Sequence, residues 1–308
     1  MTLRTRFAPS PTGLLHVGNA YSALQCARWA SEHHAELLLR IEDIDHTRCR
    51  DIYRQQLIDD LLWLGIRFDH AIVCQQKRLP LYQQALLRLE EQGLIYPCFC
   101  TRKQIQQEIE RMGLAPHAED MADLYPGTCK HLNESTRVQR MSQEHYAWRL
   151  NADALLARAG KLLWQDDQGH AHPCASYGLG DLILGRKDIG TSYHIAVVVD
   201  DAAQDISHVI RGEDLRPCTP LQVMLQHVLG LPHPTYRHHT LLLDADGRRL
   251  AKRNHATTLT SLREQGISPD LLCDWLLQKP LPRWRFTENE RAAHKLPDLR
   301  IDASPGQG

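Results

Sequence analysis

The segment from Arg6 to Asn19, RFAPSPTGLLHVGN, has the residue types of a phosphate-binding turn. A short apolar strand precedes two prolines and a glycine, and a helical pattern begins near Gly18. The N-terminus of a helix presents unpaired N–H groups and a positive dipole end to an anion. His16 can donate to a phosphate oxygen, and Gly18 lets a nucleotide lie against the backbone. Without the preceding FAPSPTG, the same pattern would favour a capped structural turn, so it is the whole segment that predicts a nucleotide site.

A second set of residues has the spacing of a metal site. Cys98 and Cys100 stand at i and i+2, where both thiols can reach one ion from a tight turn, and Cys129 follows. Zinc takes four ligands in a tetrahedron, so three cysteines leave one ligand to be found. The alternative is a group of buried cysteines that hold no metal. The remaining isolated cysteines are interpreted as core or surface thiols: Cys26, Cys49, Cys74, Cys218 and Cys273.

Composition restricts the class of protein that carries these residues. The chain has 308 residues, 43% hydrophobic and 24% charged, which is typical of a globular protein of about two domains and excludes a disordered chain. Lys and Arg number 36 against 37 Asp and Glu, so the net charge of −1 excludes a non-specific polybasic nucleic-acid binder. Any contact with nucleic acid must come from a local basic face.

The chain is expected in the cytoplasm. It has no apolar run long enough to cross a membrane and no apolar secretory segment at its N-terminus. Its nine cysteines are an odd number spread along the sequence, unlike an extracellular disulfide framework.

Hydrophobic periodicity predicts the elements that position these residues. Strands are predicted at Leu3–Phe7 and Glu36–Ile41, and helices at Gly18–His33, Asp51–Leu64 and Pro80–Gln92. This alternation of strands and helices indicates a parallel α/β sheet. From Tyr96 to about Ser176 the periodicity weakens, and this part is interpreted as an insertion. Further elements are predicted at 195–199 (strand), 207–210 (strand), 220–229 (helix) and 240–243 (strand), followed by a polar hairpin, DADGRRLAKRN. The tail after Trp284 is charged and is expected to be partly loose.

Five segments in order resemble the class I glutamyl-tRNA synthetases. RFAPSPTGLLHVGN resembles their adenylate-binding HIGH motif, and it is followed by RIEDID (40–45), SYHIAVVVDD (192–201), VIRGEDL (209–215) and RRLAKRN (248–254). The resemblance covers roughly the first 260 residues. It implies an α/β fold, a class I Rossmann-type parallel sheet with an inserted zinc-bearing connective domain and a short helical C-terminal tail. The implied parts are 1–96 and 177–260 for the two halves of the catalytic domain, 97–176 for the insertion and 261–308 for the tail.

The resemblance also assigns substrate-binding residues. Glutamate has two carboxylates and one ammonium, so its pocket needs cations and an anion, and arginine can form a bidentate pair with a carboxylate. The implied glutamate-binding residues are Arg6, Ala8, Ser10, Glu42, Tyr193 and Arg211. The implied ATP-binding residues are Pro9, Thr12, His16, Gly18, Asn19, Arg249 and Lys252, of which His16 and Lys252 are catalytic. Alternative interpretations are a structural ion pair for Arg6 and Glu42 and an ordinary half-buried strand position for Tyr193.

RRLAKRN stands where the family has a KMSKS-type loop, which brings a lysine onto the triphosphate. Lys252 matches the second lysine, whereas Arg249 replaces the first lysine, Ala251 the serine and Arg253 the final small residue. Arginine still binds phosphate, so the loss of one hydroxyl is expected to weaken the loop and not to abolish its function. A solvated cationic hairpin is the alternative.

Within this family, the glutamyl-Q tRNA(Asp) synthetases take their fourth zinc ligand from a tyrosine four residues before the last cysteine. Tyr125 occupies that position, which gives the ligand set Cys98, Cys100, Tyr125 and Cys129. Phenolate is an uncommon zinc ligand and the segment between Cys100 and Tyr125 is long for the family. The reserve candidates are Cys174, His117 and His131.

The chain stops about where a glutamyl-tRNA synthetase would begin its anticodon-binding domain, as the glutamyl-Q family does. Members of that family attach glutamate to the queuosine base in the anticodon of tRNA(Asp). The expected activity is therefore activation of L-glutamate by ATP, with Mg²⁺ arriving on the ATP, and transfer to the anticodon stem-loop of tRNA(Asp), without tRNA being needed for activation. One structural zinc per chain and a monomer are expected. The alternatives are a shortened glutamyl-tRNA synthetase charging a 3′ end, a catalytically weak binding paralogue, and a ligase that uses a small amine.

Overall fold

A computed structural model describes residues 2–111, 125–174, 180–244, 257–277 and 299–301. The helices are α1 (Val17–Glu32), α2 (Asp51–Trp63), α3 (Leu79–Glu91), α4 (Arg102–Arg111), α5 (Glu134–Gln143), α6 (Ala152–Ala159), α7 (Tyr193–Ala203), α8 (Thr219–Leu229), α9 (Leu259–Glu264) and α10 (Pro269–Leu277). The strands are β1 (Arg4–Phe7), β2 (Glu36–Ile41), β3 (Val73–Cys74), β4 (Ile95–Cys98), β5 (Ala147–Leu150), β6 (Leu163–Gln165), β7 (Ala171–Pro173), β8 (Ile183–Gly185), β9 (His208–Gly212), β10 (Thr235–His239), β11 (Leu242–Asp244) and β12 (Leu299–Ile301). Within these described ranges, none of the helices has the length and apolar character that a bilayer crossing requires.

Two compact units make up the chain. The first comprises residues 1–75, 206–217 and 234–308, and it contains the parallel strands. β1 pairs in parallel with β2, β2 with β3, and β9 with β10. The Ser207 backbone N–H donates to the Arg4 carbonyl over 3.1 Å, and the Cys26 thiol lies within 3.6 Å of both the Arg6 and the Ile210 carbonyls, so β9 runs beside β1 in the same direction.

The core of this first unit explains why these segments form these elements. β2 is the apolar run ELLLRI, and five of its six residues are buried, as expected for a parallel strand covered on both faces. α1 buries a helical stripe that includes Leu24 and Trp29. The helix α10 packs on α1, where the Arg28 guanidinium donates to the Leu277 carbonyl over 3.3 Å.

The second unit comprises residues 76–205 and 218–233. An antiparallel sheet, β4–β5–β8, forms one part of it, and β6 and β7 form a separate hairpin. The helices α3, α7 and α8 pack together beside them. A fully buried carboxylate on α7, Asp200, joins two of these helices because it accepts from the Tyr82 hydroxyl over 2.7 Å and from Arg78 Nε over 2.6 Å.

The sequence prediction was wrong at two places. The run IAVVV at 195–199 was predicted as a strand, but it lies inside the helix α7. A short β-branched run does not distinguish a buried strand from a buried helix, and here a helix brings Ile195, Val198 and Asp200 into the interior of the second unit. The strand predicted at 240–243 is displaced to 242–244, and the preceding strand β10, with the polar sequence TYRHH, was missed.

Candidate active site and metal centre

Two buried arginines mark the carboxyl ends of β1 and β9. Arg6 and Arg211 are each 4% exposed, Arg6 within β1 and Arg211 within β9. The chain leaves β1 through α1 to reach β2 on one side, whereas β9 lies on the other side of β1. In an open parallel sheet, ligands bind at the carboxyl ends of the strands where the strand order reverses in this way. The topology therefore places two guanidinium groups where an anionic ligand is expected.

Glu42 follows β2 at the same end of the sheet. Its backbone N–H donates to the Pro9 carbonyl over 3.0 Å, which ties the turn after β1 to the residue after β2. Its carboxylate is 10% exposed and lies 3.5 Å from the guanidinium of Arg40, a cation that is fully buried within β2. Because a buried cation must be balanced by an anion, Arg40 holds a carboxylate at this edge of the sheet.

The position of Arg211 depends on a strand that the sequence analysis missed. β10 pairs with β9 in a register that sets His238 beside Arg211. Arg211 Nε donates to His238 Nε2 over 3.3 Å, and its guanidinium lies 5.2 Å from the centre of the Tyr236 ring. Since a guanidinium has no acceptor, this ring nitrogen of His238 is unprotonated in the contact. The histidine pair His238–His239 was visible in the sequence, but nothing in its spacing pointed to an arginine partner.

His16 is held as the N-cap of α1. Its Nδ1 accepts from the Gly18 backbone N–H over 3.1 Å, and the Asn19 side chain accepts from the His16 backbone N–H over 3.1 Å, which together form a capping box. Because Nδ1 is an acceptor, the neutral ring carries its proton on Nε2, which makes Nε2 the donor nitrogen of the ring. The His16 of the predicted nucleotide site therefore has a fixed tautomer.

The same helix start is joined to the segment after the KMSKS-like loop. The Val17 N–H donates to the Thr257 carbonyl over 3.2 Å, and the Leu259 N–H donates to the Leu15 carbonyl over 2.9 Å. The loop residues Arg249 and Lys252 themselves lie outside the described residues. The polypeptide that follows them is thus bonded to both sides of His16.

We expect Asn19→Ala to lower the free energy of unfolding by about 1 kcal/mol, since it removes one half of the capping box of α1. Denaturant unfolding of the full chain measures the change, and Asn19→Asp is the control because it keeps an acceptor oxygen. Equal stability of Asn19→Ala and the parent chain would show that the cap contributes nothing.

Other predicted residues are placed as follows. Ala8, Pro9, Ser10 and Thr12 form the turn between β1 and α1, with Pro9 buried and Ser10 exposed. The Ser10 carbonyl accepts from the Thr12 N–H over 2.8 Å, which closes this turn. Tyr193 lies in the second unit, half-buried at the first residue of α7, and not before a strand as predicted.

The predicted metal ligands form one cluster in the second unit. The thiols of Cys98, Cys100 and Cys129 all lie within 4.8 Å of one another. Cys100 Sγ is 3.5 Å from Cys129 Sγ, and the Tyr125 hydroxyl oxygen is 3.4 Å from Cys98 Sγ and 3.6 Å from Cys100 Sγ. β4 supplies Cys98, and the turn after it supplies Cys100, as the i, i+2 spacing predicts.

These distances fit a tetrahedral zinc ion. With Zn–S bonds of about 2.3 Å and a Zn–O bond of about 2.0 Å, the edges of the tetrahedron are about 3.5–3.8 Å. The Tyr125 oxygen also accepts from the Cys129 backbone N–H over 2.9 Å, and the Phe99 N–H donates to Cys129 Sγ over 3.4 Å. Hydrogen bonds within the cluster lower the pKa of the Cys98 thiol and raise that of the Cys100 thiol, while burial raises the pKa of the Tyr125 hydroxyl. The separations of the four donor atoms are those that one tetrahedral ion requires.

The reserve ligands have less support. Among the described residues, the group of close thiol, imidazole and carboxylate ligands contains neither Cys174 nor His131. Burial raises the pKa of the Cys174 thiol to about 11, and His131 is exposed. His117 lies outside the described residues.

The family follows from a comparison with known sequences. The family described as tRNA synthetases class I (E and Q), catalytic domain, matches residues 2–283. The chain belongs to this family. It is therefore a ligase of the class I aminoacyl-tRNA synthetase type, and the predicted class I α/β fold with a parallel sheet is confirmed.

The relatives of this chain include glutamyl-Q tRNA(Asp) synthetases and glutamate–tRNA ligases. The chain is 43% identical to the glutamyl-Q tRNA(Asp) synthetase of Rhodobacter capsulatus, over 86% of this chain and 96% of the relative. It is 42% identical to the protein of that name from Nocardia farcinica, over 90% and 86%. It is 37% identical to glutamate–tRNA ligase 2 of Syntrophus aciditrophicus, over 89% of this chain but 56% of the relative.

A solved class I synthetase shares the fold. The crystal structure of a glutamate tRNA ligase from Elizabethkingia meningosepticum, in complex with its amino acid, superposes with a TM-score of 0.68 at 28% identity. The match covers 83% of this chain and 53% of that chain, so the present sequence spans about half the length of the glutamate–tRNA ligases that it matches.

Proposed function

We propose that this chain activates L-glutamate with ATP and transfers the glutamyl group to the queuosine base in the anticodon of tRNA(Asp). One observation carries the choice of acceptor: the 43% and 42% identity to two glutamyl-Q tRNA(Asp) synthetases along 96% and 86% of their lengths. The cysteine and tyrosine cluster supports it, because Tyr125 matches the fourth zinc ligand that the resemblance to the glutamyl-Q family implies.

Activation begins with glutamate at the carboxyl end of the parallel strands. We assign its two carboxylates to Arg6 and Arg211 and its ammonium to Glu42, and we propose Ala8, Ser10 and Tyr193 as further glutamate-binding residues. Support comes from the burial of both arginines at the switch point and from the Pro9 to Glu42 hydrogen bond that joins the two loops. These contacts match each charge of glutamate with an opposite charge.

The reaction needs positioning more than it needs a base. The α-carboxylate of glutamate attacks the α-phosphorus of ATP in line, the bond to the bridging oxygen breaks, and pyrophosphate leaves with that electron pair. A carboxylate is nucleophilic without deprotonation, so catalysis consists of alignment and charge stabilisation. The ATP-binding residues proposed are Pro9, Thr12, His16, Gly18, Asn19, Arg249 and Lys252, with Mg²⁺ carried by the triphosphate. The Nε2–H tautomer of His16 supports its role as the donor to a phosphate oxygen.

A structural zinc is proposed at Cys98, Cys100, Tyr125 and Cys129. When bound, the ion would hold the turn after β4 against the segment 125–129. We propose that this site belongs to an inserted domain, 97–176, between two halves of the catalytic domain, 1–96 and 177–260, with a tail at 261–308. We further propose a cytoplasmic monomer whose partners are glutamate, ATP and tRNA(Asp).

In the second step, a hydroxyl oxygen of the queuosine attacks the carbonyl carbon of the adenylate, the bond from that carbon to the phosphate oxygen breaks, and AMP leaves while the hydroxyl proton passes to solvent water. An anticodon loop suits a small enzyme because its unstacked bases can be splayed out and recognised by their edges. Transfer to a tRNA 3′ end is the second candidate, since the chain is also 37% identical to a glutamate–tRNA ligase.

The test offers labelled glutamate and ATP with three acceptors: queuosine-containing tRNA(Asp), the same tRNA without queuosine, and an isolated queuosine-modified anticodon stem-loop. We expect label on the first and third, none on the second, and ATP–pyrophosphate exchange with glutamate in the absence of tRNA. Label on the 3′-terminal adenosine, or equal labelling without queuosine, would replace the proposal by the second candidate.

A further inference from the structure

A buried arginine touches two of the four proposed zinc ligands. Arg149 lies on β5 and is 5% exposed. Its Nε donates to Cys98 Sγ over 3.3 Å, and its guanidinium carbon lies 3.8 Å from the centre of the Tyr125 ring. Its Nη1 donates to the Asp181 carbonyl over 2.6 Å, which fixes the plane of the guanidinium.

The charge of the ligand set explains why a cation belongs there. Three thiolates and one phenolate carry four negative charges, so a Zn²⁺ ion would leave a net charge of −2 in a largely buried site. A buried net charge is costly unless an opposite charge or hydrogen-bond donors face it. Arg149 is such a cation, and it donates directly to one ligand and stacks on another.

The contact with Arg149 also bears on the orientation of Tyr125. Its oxygen already accepts from the Cys129 backbone N–H, so it is oriented as an acceptor toward the thiols. The guanidinium over the ring face is attracted to the π electrons of the ring, so the contact holds Tyr125 in place beside Cys98. A second-sphere partner of this kind fixes the orientation of a ligand and raises metal affinity.

Two neighbouring cations contact Phe99, in the turn after β4, and not Cys98 or Tyr125. Arg140 on α5 lies over the Phe99 ring at 4.3 Å and pairs with Glu144, while Lys187 donates to the Phe99 carbonyl over 2.8 Å. Arg140 therefore offers a matched control, since its substitution removes the same charge close to the same cluster.

We propose that Arg149 is a positioning residue of the zinc site, which clamps Cys98 and Tyr125 together and makes tyrosine an effective fourth ligand by offsetting the charge of the set. This inference rests on the proposed zinc site. Arg149 would act only on the binding of zinc by Cys98 and Tyr125 and would have no part in the transfer of glutamate.

Zinc affinity of the purified full chain, measured by competition with a chromogenic chelator, tests the proposal. We expect Arg149→Met to bind zinc about 10–100-fold more weakly than the parent chain, the usual effect of losing an outer-sphere partner, and Arg140→Met to bind as the parent does. Substitution of Co²⁺ for zinc gives a second readout, because its visible bands report the ligand set. The bands of Arg149→Met should shift toward those of Tyr125→Phe.

Failures of the two proposals can be told apart. A parent chain that binds neither zinc nor cobalt overturns both. A parent chain that binds zinc, with unchanged affinity and cobalt bands in Arg149→Met, overturns the role of Arg149 alone. If Arg149→Met does not fold, Arg149→Lys is used instead, because lysine keeps a cation but cannot contact both Cys98 and Tyr125. Weaker zinc binding by Arg149→Lys supports the proposal. Zinc affinity and cobalt bands equal to those of the parent chain overturn it.

Discussion

Arg211→Ala is expected to lose glutamate activation by about 30- to 5,000-fold in kcat/KM, equivalent to about 2–5 kcal/mol for leaving a buried carboxylate without its partner. The side chain is buried at the end of β9, beside β1, where both a charge and a fixed guanidinium plane are lost on truncation. ATP–pyrophosphate exchange dependent on glutamate measures the loss. Glu42→Gln should produce a loss in the same range, because the ammonium of glutamate then faces a neutral amide.

The matched control is Arg4→Ala. Arg4 stands at the opposite, amino end of β1, where it pairs with Glu36 and is about a quarter exposed. Its loss should leave exchange unchanged, and circular dichroism should show that all three variants keep the parental fold. Retention of parental exchange by Arg211→Ala would remove that residue from the proposed glutamate site.

Cys98→Ser is expected to abolish stoichiometric zinc binding, from about one ion per chain in the parent to none. Binding of a metal that holds a site together is itself folding free energy, so we expect the variant to lose more than about 4 kcal/mol in unfolding free energy, the range associated with loss of a metal. Elemental analysis of protein purified without chelators gives the stoichiometry, and thermal unfolding with and without a chelator gives the stability.

Cys174→Ser is the control for this experiment, since Cys174 is a buried cysteine of the same unit outside the cluster. It should keep the zinc. A metal-free parent protein would count directly against the site, and zinc that survives Tyr125→Phe but not Cys174→Ser would identify a different fourth ligand.

The first half of the sheet could be predicted because each of its elements carries its own signal. ELLLRI is apolar throughout, as a strand buried on both faces must be, and α1 shows helical spacing after a capping histidine. α7 could not be predicted in this way. Its central run of β-branched residues favours a strand locally, and only the packing of α3 and α8 against it decides for a helix.

The proposed site was predictable only in part. The Cys98–Cys100 spacing by itself predicts a metal site. The short distance from the Tyr125 hydroxyl to Cys98, by contrast, depends on how the fold packs the segment 125–129 against β4. Arg6 and Arg211 are far apart in sequence, so the neighbouring positions of their strands come from topology, and before the structure only the family resemblance placed the two residues in one site. His238 and Arg149 were missed because each is a polar residue on a short strand. The sequence pattern of such a strand does not indicate which residue elsewhere in the chain the side chain contacts.

Cys26 lies across the seam between the two strands that carry these arginines. Its thiol is fully buried and lies 3.6 Å from the Arg6 carbonyl and 3.5 Å from the Ile210 carbonyl, and burial raises its pKa to about 12. Because α1 carries this thiol and packs it against the two strands, a reagent reaches it only when α1 and these strands open locally. The rate at which an alkylating agent modifies Cys26 therefore reports the free energy of local opening at this seam. Alkylation of Cys26 thus measures how stably α1 packs on the two strands that carry Arg6 and Arg211.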